Sequence, residues 1–149
     1  MIINRFWAMP NHQTFKIPCI KQILKDELNN EYLDPFPYPF ETDGLKLLKK
    51  TKSNSIKNLV FDPPYSLRQL KEMYNSKGNS LTQHETKYYW KDLRDQIARV
   101  MKVGGKIISF GWNSTGIGKT RGFEIKRIWL ICHGGHHNDT IITLEEKIK

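Results

Sequence analysis

The strongest chemical signal in the chain is Asp62-Pro63-Pro64-Tyr65, which directly follows the apolar run Leu59-Val60-Phe61. A carboxylate, a backbone carbonyl and an aromatic ring, delivered together by a buried strand, suit the handling of an exocyclic amine. Such an amine is a poor nucleophile because its lone pair is delocalised into the base. Acceptors that hold its N–H bonds let the nitrogen present electron density to an electrophilic methyl group. Asp62 supplies one acceptor, and the Pro63 carbonyl a second, since the following proline has no amide N–H of its own to place. The two prolines stiffen the loop, and Tyr65 offers a face on which an extruded base can stack. The plainer reading of the same residues is that two prolines end a strand and Asp62 caps the next turn.

The elements that must position this loop are legible from periodicity. Ile17 to Asn30 reads as a helix with Pro18 in its first turn and Ile20, Ile23, Leu24 and Leu28 on one face. The stretch from Tyr32 to Phe40, with Pro35, Pro37 and Pro39, excludes a helix interior and any central strand beyond Leu33. Asp43 is a candidate N-cap for a short helix over Gly44 to Lys52. Leu59 to Phe61 is a buried strand, and its carboxyl end is where open α/β sheets bind ligands. Ser66 to Tyr74 is a short helix, and Asn75 to Thr82 is a loop. Thr86 to Lys102 carries Tyr89, Trp90, Leu93, Ile97, Val100 and Met101 on a helical stripe, with Lys91, Asp92, Arg94 and Asp95 facing away. Gly104-Gly105 reads as its left-handed cap, and Lys106 to Phe110 as the strand that follows. Ile125 to Cys132 and Thr140 to Leu144 form an antiparallel hairpin around His133-Gly134-Gly135-His136-His137-Asn138.

Composition sets the frame for these elements. The chain has 149 residues with Lys+Arg 24 against Asp+Glu 15, a net charge of 24 − 15 = +9. With Phe 7, Tyr 6 and Trp 4 there is apolar surface for one core, so a single domain over residues 1–149 is expected and wholesale disorder is not. The basic balance favours a polyanionic partner, because clustered Lys and Arg release condensed counterions from a phosphate backbone. It also serves simple solubility. No apolar run reaches membrane-spanning length, and the first residues lack a leader pattern, which predicts a cytoplasmic protein. Cys19 and Cys132 lie far apart without a CxxC pattern and read as free thiols.

Three further constellations compete for attention. Cys132, His133, His136, His137 and Asp139 are ligand types for a metal, but not in a standard zinc spacing, and no metal is expected. Thr115 to Thr120 ends in Gly-Lys-Thr but lacks the earlier glycine of a phosphate loop. It reads as a loop from which Lys119 and Arg121 reach phosphates, or as a plain turn. Trp112 either stacks on a ligand or packs at the end of a strand.

Taken with their order in the chain, these motifs resemble the S-adenosylmethionine-dependent DNA adenine-N6 methyltransferases of the DPPY type. Val103-Gly104-Gly105-Lys106 and the strand to Trp112 resemble the Gly-turn and strand segment that follows the catalytic motif in that superfamily. A group of small phage and prophage methyltransferase-like proteins is similar in Asn4 to Pro10, Thr14 to Ile20, Phe110 to Ser114 and His133-Gly134-Gly135. The resemblance implies catalytic roles for Asp62, Pro63, Pro64 and Tyr65 and S-adenosylmethionine as cofactor. It implies that Thr14, Phe15, Ile17 and Pro18 border that cofactor, together with Asp34 and Phe36 of the Asp-Pro-Phe segment and, more loosely, Asp43. Nucleic-acid contacts fall to Ser66 to Lys87 and Lys119 to Arg127, with Arg68, Lys71, Lys119 and Arg121 the candidate residues.

The chain departs from the family pattern between its cofactor and catalytic segments. From Asp34 to Asp62 there are 62 − 34 = 28 positions. Strand, helix and strand steps at roughly 30 residues per βαβ unit would need well over ~50. At least one βα unit is therefore missing, Pro37-Tyr38-Pro39 stands where a flexible pattern is usual, and no Gly-x-Gly occurs there. The expected fold is an α/β, class I methyltransferase-like (Rossmann-like) three-layer sandwich, truncated in its cofactor half and closed by a C-terminal antiparallel hairpin. The expected function is methyl transfer to an extruded adenine in DNA, with RNA or a protein amide sharing the same chemistry. The alternative is a catalytically inactive module that binds nucleic acid or a partner protein. A homodimer would be one way to complete a truncated pocket.

Overall fold

The computed structural model describes residues 1–37, 43–64, 66–76, 78 and 81–149. Five strands, β1 (Ile2–Trp7), β2 (Ile56–Phe61), β3 (Met101–Gly111), β4 (Phe123–Cys132) and β5 (Thr140–Lys147), form one sheet in the order β1-β4-β5-β3-β2. Four helices, α1 (Pro18–Leu28), α2 (Gly44–Lys50), α3 (Leu67–Ser76) and α4 (Gln83–Val100), cover its two faces. β2 and β3 are parallel, as are β1 and β4, while β5 lies antiparallel between β3 and β4. Because β5 opposes both neighbours, β3 and β4 point the same way.

Strand alternation sorts the core into two layers. Leu59, Phe61 and Ile107 face α4, α3 and α2, which contribute Leu93, Ile97, Leu70, Met73 and Leu48. Val60, Ile108, Phe110, Trp129 and Ile142 face the α1 stripe of Ile20, Ile23, Leu24 and Leu28. Helices on both faces of one mixed sheet make the expected three-layer α/β arrangement. α1 is slightly shorter than the expected Ile17 to Asn30: Ile17 is its N-cap, and it stops at Asn29, whose φ of 53° is left-handed and whose N–H donates to the Lys25 carbonyl at 2.9 Å. At the start of α4, Thr82 Oγ1 accepts the Glu85 amide at 3.1 Å, and the Glu85 carboxylate accepts the Thr82 amide at 2.7 Å, a reciprocal capping box.

Beyond strands that run longer than read, with β2 starting at Ile56, β4 at Phe123 and β5 reaching Lys147, four features differ from the sequence reading. The helix expected over Thr86 to Lys102 ends at Val100, and β3 starts at Met101, so Gly104 and Gly105 lie within a strand and cap nothing. Their role is a bulge: Ile56 pairs with Met101 and Asn58 with Lys106, so β3 advances 106 − 101 = 5 residues while β2 advances 58 − 56 = 2. Gly104 takes φ of +82°, and a Cβ on Gly105 would stand 2.6 Å from the Lys57 carbonyl oxygen. The carbonyls at the end of α4 are instead met by the Lys147 ammonium, which donates to Ala98 O at 2.6 Å and Met101 O at 2.8 Å. Second, Ile2 to Trp7 is a strand; it is an exposed edge, and its residues show no alternation that would mark it. Third, α3 extends through Ser76, into the segment read as loop, and Thr82 belongs to the α4 cap. Fourth, α2 ends at Lys50, where Thr51 turns to extended backbone, two residues short of Lys52.

The sheet ends at the β2 edge with little beyond it. Between Asp34 and Asp62 the described residues supply only α2 and β2, and beyond β2 lies a single-residue parallel bridge, Leu33 to Leu59. The Leu33 amide donates to Asn58 O at 3.0 Å and its carbonyl accepts the Val60 amide at 2.9 Å. Pro35, two residues on, cannot donate to a ladder, so the pairing stops there. Among the described residues no helix is long and apolar enough to cross a membrane.

Candidate functional site

The β2–β3 ladder ends at the pair Phe61–Ser109, and the next residues of β2 are Asp62, Pro63 and Pro64. Neither proline has a backbone N–H to extend the ladder, so the chain leaves the sheet at this point. Both prolines are buried while the Asp62 side chain is half-buried. The Trp90 indole N–H, from α4, donates to the Pro64 carbonyl at 2.9 Å. Phe61 packs below, its ring 6.3 Å from that of Phe36. The loop is therefore held from the helix side by one hydrogen bond and from beneath by an aromatic contact. Tyr65, the expected stacking residue, lies outside the described residues, as does part of the proline-rich segment, residues 38–42.

Asp62 and Pro63 open into a cleft of about 420 Å3, with His12 and Thr14 on one side and Gln69 and Glu72 on the other. His12, Thr14 and Gln69 also border a larger, more open depression of about 750 Å3 that runs toward Trp112 and the β4–β5 hairpin. Together these form a groove along the carboxyl ends of the parallel strands, the edge at which open α/β sheets place ligands. The segment carrying Thr14 reaches Asp62 because Thr14–Lys16 is a single 3-10 turn anchored by Phe15. The Phe15 ring lies 5.2 Å from that of Phe110 and 6.4 Å from that of Tyr32.

The residues expected to border a cofactor separate into two groups. Thr14 shares the cleft with Asp62, Ile17 borders the adjoining depression, Phe15 anchors the turn, and Pro18 opens α1. Asp34, Phe36 and Asp43 are not brought to the cleft. Asp34 Oδ1 accepts the Phe36 amide at 3.0 Å, closing a turn beyond the β2 edge, and burial raises its pKa against that one bond. Phe36 is a core side chain. Asp43 acts as the expected N-cap of α2, accepting the Lys46 amide at 3.2 Å, and also accepts the Tyr74 hydroxyl at 3.2 Å. Burial pushes the Tyr74 phenol up to about 12.

The basic residues also divide. Arg68 and Lys71 stand exposed on α3, whose Gln69 and Glu72 line the cleft, and Arg68 pairs with Glu72 at 2.9 Å. Lys119 and Arg121 lie in the turn just before β4, which is parallel to β3; that turn is at the starting ends of the strands, across the sheet from Asp62. Arg121 is moreover engaged, donating to Asp95 at 2.8 Å and to Ile117 O at 3.2 Å. Trp112 is exposed at the rim of the groove and is not a core side chain. Among the described residues no group of His, Cys, Asp and Glu could hold a metal ion. His133 serves the hairpin, its ring nitrogens meeting Ala8 O at 3.0 Å and Thr140 Oγ1 at 2.8 Å. Cys132 is a buried free thiol and Cys19 a half-buried one.

No family model matches the chain, and no curated protein matches it. Solved structures do. A candidate DNA modification methylase from Thermus thermophilus superposes with TM-score 0.48 and 12% identity over 70% of this chain and 52% of that one. TrmN from Thermus thermophilus does so with TM-score 0.43 and 16% identity over 70% and 26%. NSun6 from Pyrococcus horikoshii, solved with SFG, does so with TM-score 0.49 and 12% identity over 99% and 48%. The chain thus spans about half or less of the length of each of these proteins.

Sequence reading missed Trp90 as a positioning residue, because it sits in an apolar stripe where its ring alone accounts for it. The available signal was its N–H, which needs a partner once the ring is half-buried. Trp90→Phe keeps most of the ring packing and removes the donor. The free energy of unfolding is expected to fall by about 1 kcal/mol, read as a lower urea midpoint at constant slope. An unchanged midpoint would show that the indole does not hold the loop.

Proposed function

We propose that this chain transfers a methyl group from S-adenosylmethionine to the exocyclic amine of an adenine extruded from DNA. The observation that supports this most directly is Asp62 at the carboxyl end of β2, on a loop fixed by two prolines and Trp90, beside a cleft of about 420 Å3. A cleft of that size lies within the range that takes a small-molecule cofactor. Its Asp62 and Glu72 carboxylates are complementary to a sulfonium cation, and Thr14 offers a hydroxyl. When bound there, S-adenosylmethionine supplies an activated methyl group.

The work of the protein residues follows from their chemistry. Asp62 and the Pro63 carbonyl accept the two amine N–H bonds and turn the nitrogen lone pair toward the incoming carbon. As the new N–C bond formed and the methyl–sulfur bond broke to release a neutral thioether, the nitrogen would become cationic, and the Asp62 carboxylate would both stabilise that charge and take the proton it sheds. Stacking falls to Tyr65. Arg68 and Lys71 meet backbone phosphates, and their contacts weaken with salt as counterion release requires.

One arrangement favours the rival reading of a binding module without catalysis: Asp34 and Asp43, the acidic residues expected near the cofactor, are turned into a loop and a helix cap. Incubation with methyl-labelled S-adenosylmethionine and DNA, RNA and protein in parallel separates the two. Label on adenine N6 of DNA is the expected result. Label on RNA or protein alone changes the substrate. No label on any of the three, with no calorimetric binding of S-adenosylmethionine in the presence of DNA, removes the enzyme.

A further inference from the structure

On the opposite side of Pro63 and Pro64 from the Asp62 cleft is a second, smaller cavity of about 100 Å3, walled by these prolines, Arg94, Ser109, Trp112 and Asn113. It lies between α4 and the sheet, because Ser109 follows Ile108 in β3 and shares the face of Phe61 and Ile107. The sequence stripe put Arg94 on the solvent side of α4; in the fold its Nε is buried in this cavity. The guanidinium makes no hydrogen bond or ion pair among the described residues, and its Nε has no partner. The Ser109 side chain, in a residue only 8% exposed, is likewise without a partner for its Oγ.

Two buried, unpartnered polar groups in one cavity are unusual, since each costs about 1–3 kcal/mol of desolvation. The nearest candidate partner is committed elsewhere: Glu145, which attracts Arg94 electrostatically, has its two oxygens on the Ile117 amide at 2.7 Å and the Gly118 amide at 3.1 Å. Arg121 adds positive charge on the same side and makes burial of a second guanidinium less favourable. What satisfies both groups must present acceptors, carry negative charge and fit the volume of a few waters. Arg94 enters from the helix wall and Ser109 from the sheet, so acceptors are needed in more than one direction. A tetrahedral oxyanion provides them, with two oxygens for the guanidinium fork and another for the hydroxyl.

We propose that the Arg94–Ser109 cavity is a binding site for one phosphate group. This does not depend on methyl transfer. The shared chemistry could come from a phosphodiester of a nucleic-acid strand or from free phosphate, and the test separates the sources.

Thermal unfolding is followed in a phosphate-free buffer while orthophosphate is added, with chloride at matched ionic strength as control. The native chain is expected to gain stability with phosphate concentration and not with chloride. Arg94→Gln is expected to need at least about tenfold more phosphate for the same gain, the equivalent of about 1.4 kcal/mol. Without phosphate its midpoint is expected to equal or exceed that of the native chain, because the buried Nε that has no partner has been removed. Should Arg94→Gln fail to fold, Ser109→Ala, which deletes only the orphan hydroxyl, carries the same comparison. Displacement of orthophosphate by a short single-stranded oligonucleotide identifies the source as a phosphodiester; failure to displace identifies free phosphate. Equal gains in native and variant chains, a gain matched by chloride, or no gain in the native chain overturns the site.

Discussion

On the proposed function, replacing Asp62 with Ala is expected to lower methyl transfer to DNA adenine by about 10³-fold, the range seen when one preorganised electrostatic partner of the reacting atom is removed. The amine loses both an oriented acceptor and the group that neutralises its developing positive charge, while the Pro63 carbonyl and the cleft remain. Asp62→Asn is the sharper variant. Its amide oxygen can still accept one N–H, but the side chain carries no charge and cannot take a proton, so its rate is expected between those of Ala and the native chain. The affinity for S-adenosylmethionine, measured by calorimetry in the same variants, is expected to change far less than the rate, which assigns the loss to the chemical step and not to cofactor binding. Urea midpoints of each variant exclude loss of fold as the cause. Native rates in Asp62→Ala with an unaltered midpoint would remove the proposed mechanism.

The parts of this site that could be read from the chain are those whose physics is local. Two consecutive prolines after three apolar residues end a ladder wherever they occur, so the position of Asp62 at a strand end follows from a few residues of sequence. The Asp43 cap and the α1 and α4 stripes are equally local, and all three are present. What escaped reading depends on contacts between distant segments. Gly104-Gly105 fits a helix cap as well as a strand bulge by composition, and only the neighbouring Lys57 carbonyl, 2.6 Å from where a Cβ would stand, decides for the bulge. Arg94 faces solvent on a helical wheel, yet its Nε is buried beside a cavity that Trp112, Asn113 and Gly116 also wall. Asp34 and Asp43 matched an expected cofactor border by order along the chain, but in the fold Asp34 turns back on Phe36 and Asp43 stays with α2. Order along the chain does not by itself fix a three-dimensional neighbourhood.

Glu145 gives the largest expected effect on stability, and nothing in its strand pattern announces it. It is fully buried on β5, and its carboxylate holds the amides of Ile117 and Gly118 at 2.7 and 3.1 Å. Gly116 has φ of +61°, and the carboxylate occupies the space a Cβ there would need. The crossover from β3 to β4 is thus fastened to the sheet by one side chain. Glu145→Ala leaves the buried Ile117 N–H without an acceptor, at about 1–3 kcal/mol, frees the half-buried Gly118 N–H at a smaller cost, and opens a cavity besides. A total loss of about 3–5 kcal/mol is expected, against a typical stability of about 5–15 kcal/mol. Glu145→Gln keeps one acceptor oxygen and should lose about half as much. Burial raises the Glu145 pKa above its ordinary value of 4.5 despite the two amide bonds. The native group therefore holds its proton more tightly folded than unfolded, and its stabilising contribution, full below about pH 4.5, declines as pH rises through the folded pKa. The stability gap between the native chain and Glu145→Gln should accordingly be widest in acid and narrow toward neutrality. Urea unfolding of both chains across that range measures it. A gap that widens with pH would mean that the two amide bonds outweigh burial and that the carboxylate is stabilised in its charged form.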